Sequence, residues 1–135
     1  NGAAFVVITG GEPLHQDLAP LTEALNKRRA LPIHLETSGV DPLTGRFDWI
    51  TLSPKRHRPP LPLLLRTCHE LKVVVHTSDD IAFAKKMESQ CPASTERLLQ
   101  PGWNCSEGEQ LALEHVRRHP IWRLSLQTHK WLAIQ

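Results

Sequence analysis

The sequence predicts an α/β fold with a mostly parallel sheet, on three observations. Six short runs rich in apolar and β-branched residues read as strands, at 5–9, 33–37, 49–53, 71–75, 97–100 and 122–127. Helical patterns separate several of them, which implies right-handed strand–helix–strand crossovers. The polar residues that end these strands would then gather at one edge of the sheet, where α/β folds bind ligands.

The first strand runs through Val6, Val7 and Ile8 into Thr9-Gly10-Gly11-Glu12-Pro13. Two glycines let backbone approach a ligand closely, and Pro13 suits a first helical position because its missing N–H is not needed there. The first helix is expected over 14–29, with Leu14, Leu18, Leu21 and Leu25 at spacings of three and four. Ser78-Asp79-Asp80 offers N-caps for a helix to about residue 89. Ser106 with Glu109 three residues on resembles a capping box for a helix to about residue 119. Pro59-Pro60-Leu61-Pro62 reads as a stiff loop, since neither a strand centre nor a helix interior tolerates it.

A chain of 135 residues is long enough for one core, so a single domain over 1–135 is expected. The net charge of +2 is too small to argue for nucleic acid, and no apolar run is long enough to span a membrane. Lys55-Arg56-His57-Arg58 can meet a phosphate or carboxylate, or simply be a solvated loop. Cys68, Cys91 and Cys105 are far apart, with no CxxC or CxxxC among them. Three unclustered cysteines and no secretory pattern read as reduced thiols in the cytoplasm. The chain opens on Asn1 with a strand almost at once, so it is expected to be cut from something longer.

Five of the six strands end in donors, acceptors or charges. These are Thr9-Gly10-Gly11-Glu12, Glu36-Thr37-Ser38-Gly39, Ser53-Pro54-Lys55, Gln100-Pro101-Gly102-Trp103 and Gln127-Thr128-His129-Lys130. Singly each has an ordinary reading: Glu36 and Ser38 close a turn, Ser53-Pro54 opens one, Lys55 lies on the surface, and Trp103 is core. Together they suit a zwitterionic nucleoside-like ligand. Glu12 and glycine backbone can accept from an ammonium. Lys55 and Ser53 can donate to a carboxylate, and Gln100 or Glu36 can meet ribose hydroxyls.

The order TGGEP, ETSG, SPK, LKVVV, LQPGW and WRLSLQTHK resembles the 7-carboxy-7-deazaguanine synthases, radical S-adenosylmethionine (SAM) enzymes of queuosine and deazapurine biosynthesis. TGGEP is shared by many radical SAM enzymes, whereas SPK followed by LQP and LQTHK is more specific. The resemblance covers residues 5–135. It implies a partial (β/α) barrel, usually homodimeric, that binds a [4Fe–4S] cluster, SAM and Mg²⁺ and draws electrons from a reductant such as flavodoxin. The reaction it implies is a ring contraction of 6-carboxy-5,6,7,8-tetrahydropterin with loss of ammonia. The cluster reductively cleaves SAM, and the deoxyadenosyl radical takes a hydrogen atom from the substrate.

By motif position, Gly10, Gly11, Glu12, Ser53, Pro54, Lys55, Gln100, Pro101, Gly102 and Trp103 would line the SAM site. Thr9, Glu36, Gln127, His129 and the terminal carboxylate of Gln135 would face the pterin. The family's cluster cysteines precede its GGEP motif, and Cys68, Cys91 and Cys105 match none of them. The chain is therefore expected to lack the first strand and cluster loop, to carry about the SAM half of a site with no metal ligands, and not to cleave SAM alone. Another radical SAM enzyme such as an activase, and a non-catalytic nucleoside-binding module, are the alternatives.

Overall fold

The computed structural model describes residues 2–28 and 31–132. Among the described residues six strands form one sheet: β1 (Val6–Ile8), β2 (Ile33–Thr37), β3 (Trp49–Leu52), β4 (Glu70–Val75), β5 (Glu96–Pro101) and β6 (Trp122–Leu124). Every neighbouring pair is parallel and the spatial order follows the sequence, β1-β2-β3-β4-β5-β6. Each connection is therefore a crossover, and all strand C-termini share one edge. The sheet is open, as expected of a partial barrel.

The helices are α1 (Ala19–Arg28), α2 (Pro62–Thr67), α3 (Ser78–Glu88), α4 (Ser106–Arg118) and α5 (Thr128–Trp131), with a 3₁₀ turn at Pro13–His15. Strand periodicity sorts the sheet into two unlike faces. On β4, Leu71, Val73 and Val75 are buried against the helices, while Glu70, Lys72 and Val74 on the other face are half-buried. The helix-covered face joins Leu35, Leu52 and Leu99 to Leu64, Ala84, Met87 and Ala112 in one core. Each such leucine contributes about 1.5–3 kcal/mol by leaving water.

The helix expected over 14–29 is broken. Leu14 belongs to the 3₁₀ turn, and α1 begins only at Ala19. Asp17 Oδ1 accepts from the Ala19 amide at 2.9 Å, which caps the new start. Pro20 then sits in the first turn, where proline is tolerated; further inside a helix it would clash with the preceding turn. Arg29, the expected helix end, lies outside the described residues.

The proline-rich stretch is a loop only as far as Leu61, because Pro62 is the first residue of α2. The last strand is shorter than expected. It stops at Leu124, with one further bond from the Ser125 amide to the Leu99 carbonyl at 2.8 Å, and Gln127 then caps α5. Two caps also differ. Thr77, with Asp80, boxes α3. Cys105 caps α4 through Sγ, which accepts from the Gly108 amide at 3.4 Å, so Ser106 is already helical.

Candidate functional site

The first strand delivers Thr9, Gly10 and Gly11 to the open edge, all exposed. Gly10 and Gly11 hold φ of +92° and +55°, and a Cβ at either would meet nothing within 4 Å. The conformation demands glycine, and it leaves the backbone groups open to a ligand.

Glu12 differs from the expectation of a free acceptor. Its Oε1 accepts from the Leu14 amide at 3.2 Å and from the Thr37 hydroxyl; its Oε2 accepts from the Ser38 amide at 2.8 Å and the Ser38 hydroxyl. Burial alone would raise its pKa, but the hydrogen bonds from Ser38, Thr37 and Leu14 outweigh that and hold it below the ordinary carboxylate value. Glu12 therefore ties the glycine turn to the end of β2, and the backbone of Gly10 and Gly11 is left to meet an ammonium.

After β3, Ser53 and Lys55 meet through a 3.4 Å bond from the ammonium to the hydroxyl. The loop is anchored by Arg56, which reaches Asp79 at 3.1 Å and Asp80 at 3.5 Å at the start of α3. The basic cluster is thus divided: Arg56 is engaged in structure, and Lys55 lies exposed beside Ser53. Pro54 and Lys55 border a cavity of about 300 Å³ whose far wall includes His76.

At the ends of β5 and β6, Pro101, Gly102, Trp103 and Gln127 line a second cleft of about 270 Å³, with Leu124 and Leu113. A Cβ at Gly102 would lie 2.3 Å from the ring of His76, an exposed side chain that would have to turn aside. His76 thus stands between the two cavities. The Lys130 ammonium lies 5.2 Å from the Trp103 ring centroid, a cation–π contact on the same cleft. Gln100 lies on β5 opposite Val74 and is half-buried. Gln127 was expected with the pterin residues, but it shares its cleft with the Gly102–Trp103 group.

Glu36 projects from the sheet face opposite the core and accepts from Lys72 at 3.3 Å. Beside it the Thr51 hydroxyl donates to Glu70 at 3.2 Å. Burial pushes the Glu70 pKa above its ordinary value, only partly opposed by the Thr51 bond and Lys72. Sequence reasoning missed Lys72, Glu70 and His76. The signal for the first two was available, because acid and base alternate with apolar residues in Glu70-Leu71-Lys72-Val73.

His129 is in the helix α5, not directly at a strand end as expected. Gln135 lies outside the described residues. Side-chain contacts thus join Glu12 to Thr37 and Ser38, Lys55 to Ser53, and Glu36 to Lys72, and one cleft joins Gly102, Trp103 and Gln127. The parallel sheet sets these groups along one face and edge.

The open glycine backbone, the exposed lysine and a cleft walled by Trp103 and leucines fit the ammonium, carboxylate and adenine of SAM. The cysteines do not fit a [4Fe–4S] cluster. Cys68 and Cys91 Sγ are 3.8 Å apart between α2 and the end of α3, while Cys105 caps α4. Among the described residues no three His, Cys, Asp or Glu stand together as a metal site, and no helix is long and apolar enough to cross a membrane.

No protein-family model matches the chain. It is 50% identical to the 7-carboxy-7-deazaguanine synthase of Prochlorococcus marinus, over 99% of this chain and 69% of that protein. It is 44% identical to the synthase of the same name from Synechocystis sp., over 98% of this chain and 63% of the relative. The crystal structure of QueE from Escherichia coli matches with a TM-score of 0.80 at 32% identity, over 94% of this chain and 58% of that one. The chain thus spans from 58% to 69% of the length of these proteins.

Proposed function

The chain belongs to the 7-carboxy-7-deazaguanine synthase family, and from that membership we propose that the protein carrying it converts 6-carboxy-5,6,7,8-tetrahydropterin to 7-carboxy-7-deazaguanine with release of ammonia. The reading is that of a radical SAM lyase with a cluster, Mg²⁺ and a reductant such as flavodoxin, working as a cytoplasmic homodimer. The membership favours it over an activase or a non-catalytic module. The cluster ligands of this reading are not Cys68, Cys91 and Cys105, whose positions do not fit them. By itself the chain contributes a SAM-binding edge and part of a substrate face, folded as one domain.

The observation that carries the proposal is the open backbone at Gly10 and Gly11 on the same strand edge as Lys55 and the Trp103 cleft. Gly10 and Gly11 carbonyls accept from the SAM ammonium, and Glu12 holds their turn in place. Lys55 and Ser53 donate to the SAM carboxylate. Gly102 and Trp103, with Gln100 and Pro101, offer the adenosine a largely apolar shelf, and Pro54 stiffens the loop between. Bound SAM would supply the hydrogen-abstracting deoxyadenosyl group. Thr9 and Glu36 face the pterin, family membership alone assigns His129 and Gln135 to it, and Gln127 borders the adenosine cleft.

A split in binding tests these roles. In the full-length protein, Thr9→Val and Glu36→Gln should weaken pterin binding and leave SAM binding unchanged, read by calorimetric titration. Parallel loss of both ligands, or loss of neither, would overturn the division of the site.

A further inference from the structure

The sheet face opposite the core carries charge where a closed barrel interior would hold branched apolar side chains. Glu36 of β2 and Lys72 of β4 reach each other diagonally across β3 at 3.3 Å. Lys72 is the more enclosed partner, with 17% of its side chain exposed against 44% for Glu36. Among the described residues, Glu36 is the one hydrogen-bond acceptor of that ammonium. Enclosing an ammonium is costly, and one long ion pair is a weak source of stability. An apolar residue at position 72 would extend the run of Leu71, Val73 and Val74 at less cost. The position is thus poorly explained by folding, and two N–H donors are left for a ligand.

We propose that Lys72 is a substrate-positioning residue. It fixes the Glu36 carboxylate on the open face and offers its remaining donors to an oxygen of the same ligand. Side by side, the two groups complement a flat heterocycle in which N–H donors adjoin a carbonyl, as along the edge of a 2-amino-4-oxopyrimidine. The carboxylate accepts from the ring and amino N–H groups, and the ammonium donates to the oxo group. This rests on the reading of Glu36 as a pterin contact.

The test is a fluorescence titration of the full-length protein with 6-carboxypterin, which reads binding without turnover. Lys72→Met should raise the pterin Kd about ten- to a hundredfold, the range for losing a charged hydrogen bond. Lys72→Arg should recover most of that loss. The double variant Glu36→Gln with Lys72→Met should be little worse than the poorer single variant, because the two residues act as one unit. In turnover, Lys72→Met should raise KM more than it lowers kcat. The SAM Kd and the Tm should stay near those of the unaltered protein.

If Glu36→Gln loses pterin and Lys72→Met does not, the proposal fails and the reading of Glu36 stands. If neither variant loses pterin, both fail. If Lys72→Met weakens SAM and pterin together, lowers Tm and is not rescued by arginine, Lys72 is structural and the proposal is overturned.

Discussion

Glu12 and Ser38 are joined twice: the Ser38 amide donates to Glu12 Oε2 at 2.8 Å, and the Ser38 hydroxyl donates to the same oxygen. A carboxylate that follows the glycine turn by one residue is thus spent on the end of the neighbouring strand. It fixes where the open backbone of Gly10 and Gly11 points.

Glu12→Ala should therefore destabilise the fold by about 2–3 kcal/mol, since it leaves the Ser38 and Leu14 amides and two hydroxyls without their acceptor. The loss should also depend on pH. The folded pKa of Glu12 lies below its unfolded value, so its contribution is present above about pH 4.5 and fades as pH falls through the lower folded pKa. Urea unfolding of the parent and of Glu12→Gln from pH 3 to 7 checks this. The two stabilities should converge at the acid end.

Glu70 should behave in the opposite sense. Burial raises its folded pKa, so the stability linked to its protonated form is present below about pH 4.5 and is lost as pH rises through the folded value. Glu70→Gln keeps an acceptor for Thr51 and removes the buried charge. It should gain on the order of 1 kcal/mol over the parent at pH 7 and nothing at pH 4. The same unfolding series measures both.

Gly102→Ala should cost at most about 1 kcal/mol, because its Cβ would fall 2.3 Å from the ring of His76, an exposed side chain that can turn aside. His76→Ala in the same chain should restore most of the loss. Thermal melts of the two single variants and the double variant measure it.

Lys55→Ala should weaken SAM binding by about 1–3 kcal/mol in calorimetry, as expected for losing a charged hydrogen bond. Arg56 ties the loop to Asp79 and Asp80, which holds Lys55 beside Ser53. Arg58→Ala should change SAM binding far less. Equal losses would mean that the basic loop acts only as a diffuse field.

Much of this was legible in the residues themselves. Short apolar runs, several of them β-branched, marked the six strands, and their alternation with helical patterns gave the parallel sheet and hence the shared polar edge. What escaped was decided by tertiary partners. Pro20 sits in the first turn of a helix that starts later than expected, and Pro62 begins an unexpected one, because proline's meaning depends on which turn it occupies. Glu12 looked like a ligand carboxylate until Thr37 and Ser38, some 25 residues away, were found bonded to it. Lys72 was hidden in a strand read only for its apolar face, and its partner Glu36 lies two strands away. His76 gave no local signal, as its role is set by contact with Gly102.

The most direct test of the account is product formation. The full-length protein, reconstituted anaerobically with iron and sulfide and supplied with SAM, Mg²⁺, a reductant and 6-carboxy-5,6,7,8-tetrahydropterin, should release 7-carboxy-7-deazaguanine and ammonia, identified by mass spectrometry. Cleavage of SAM with the pterin left unchanged, or no reaction in a protein shown to hold both ligands, would contradict it.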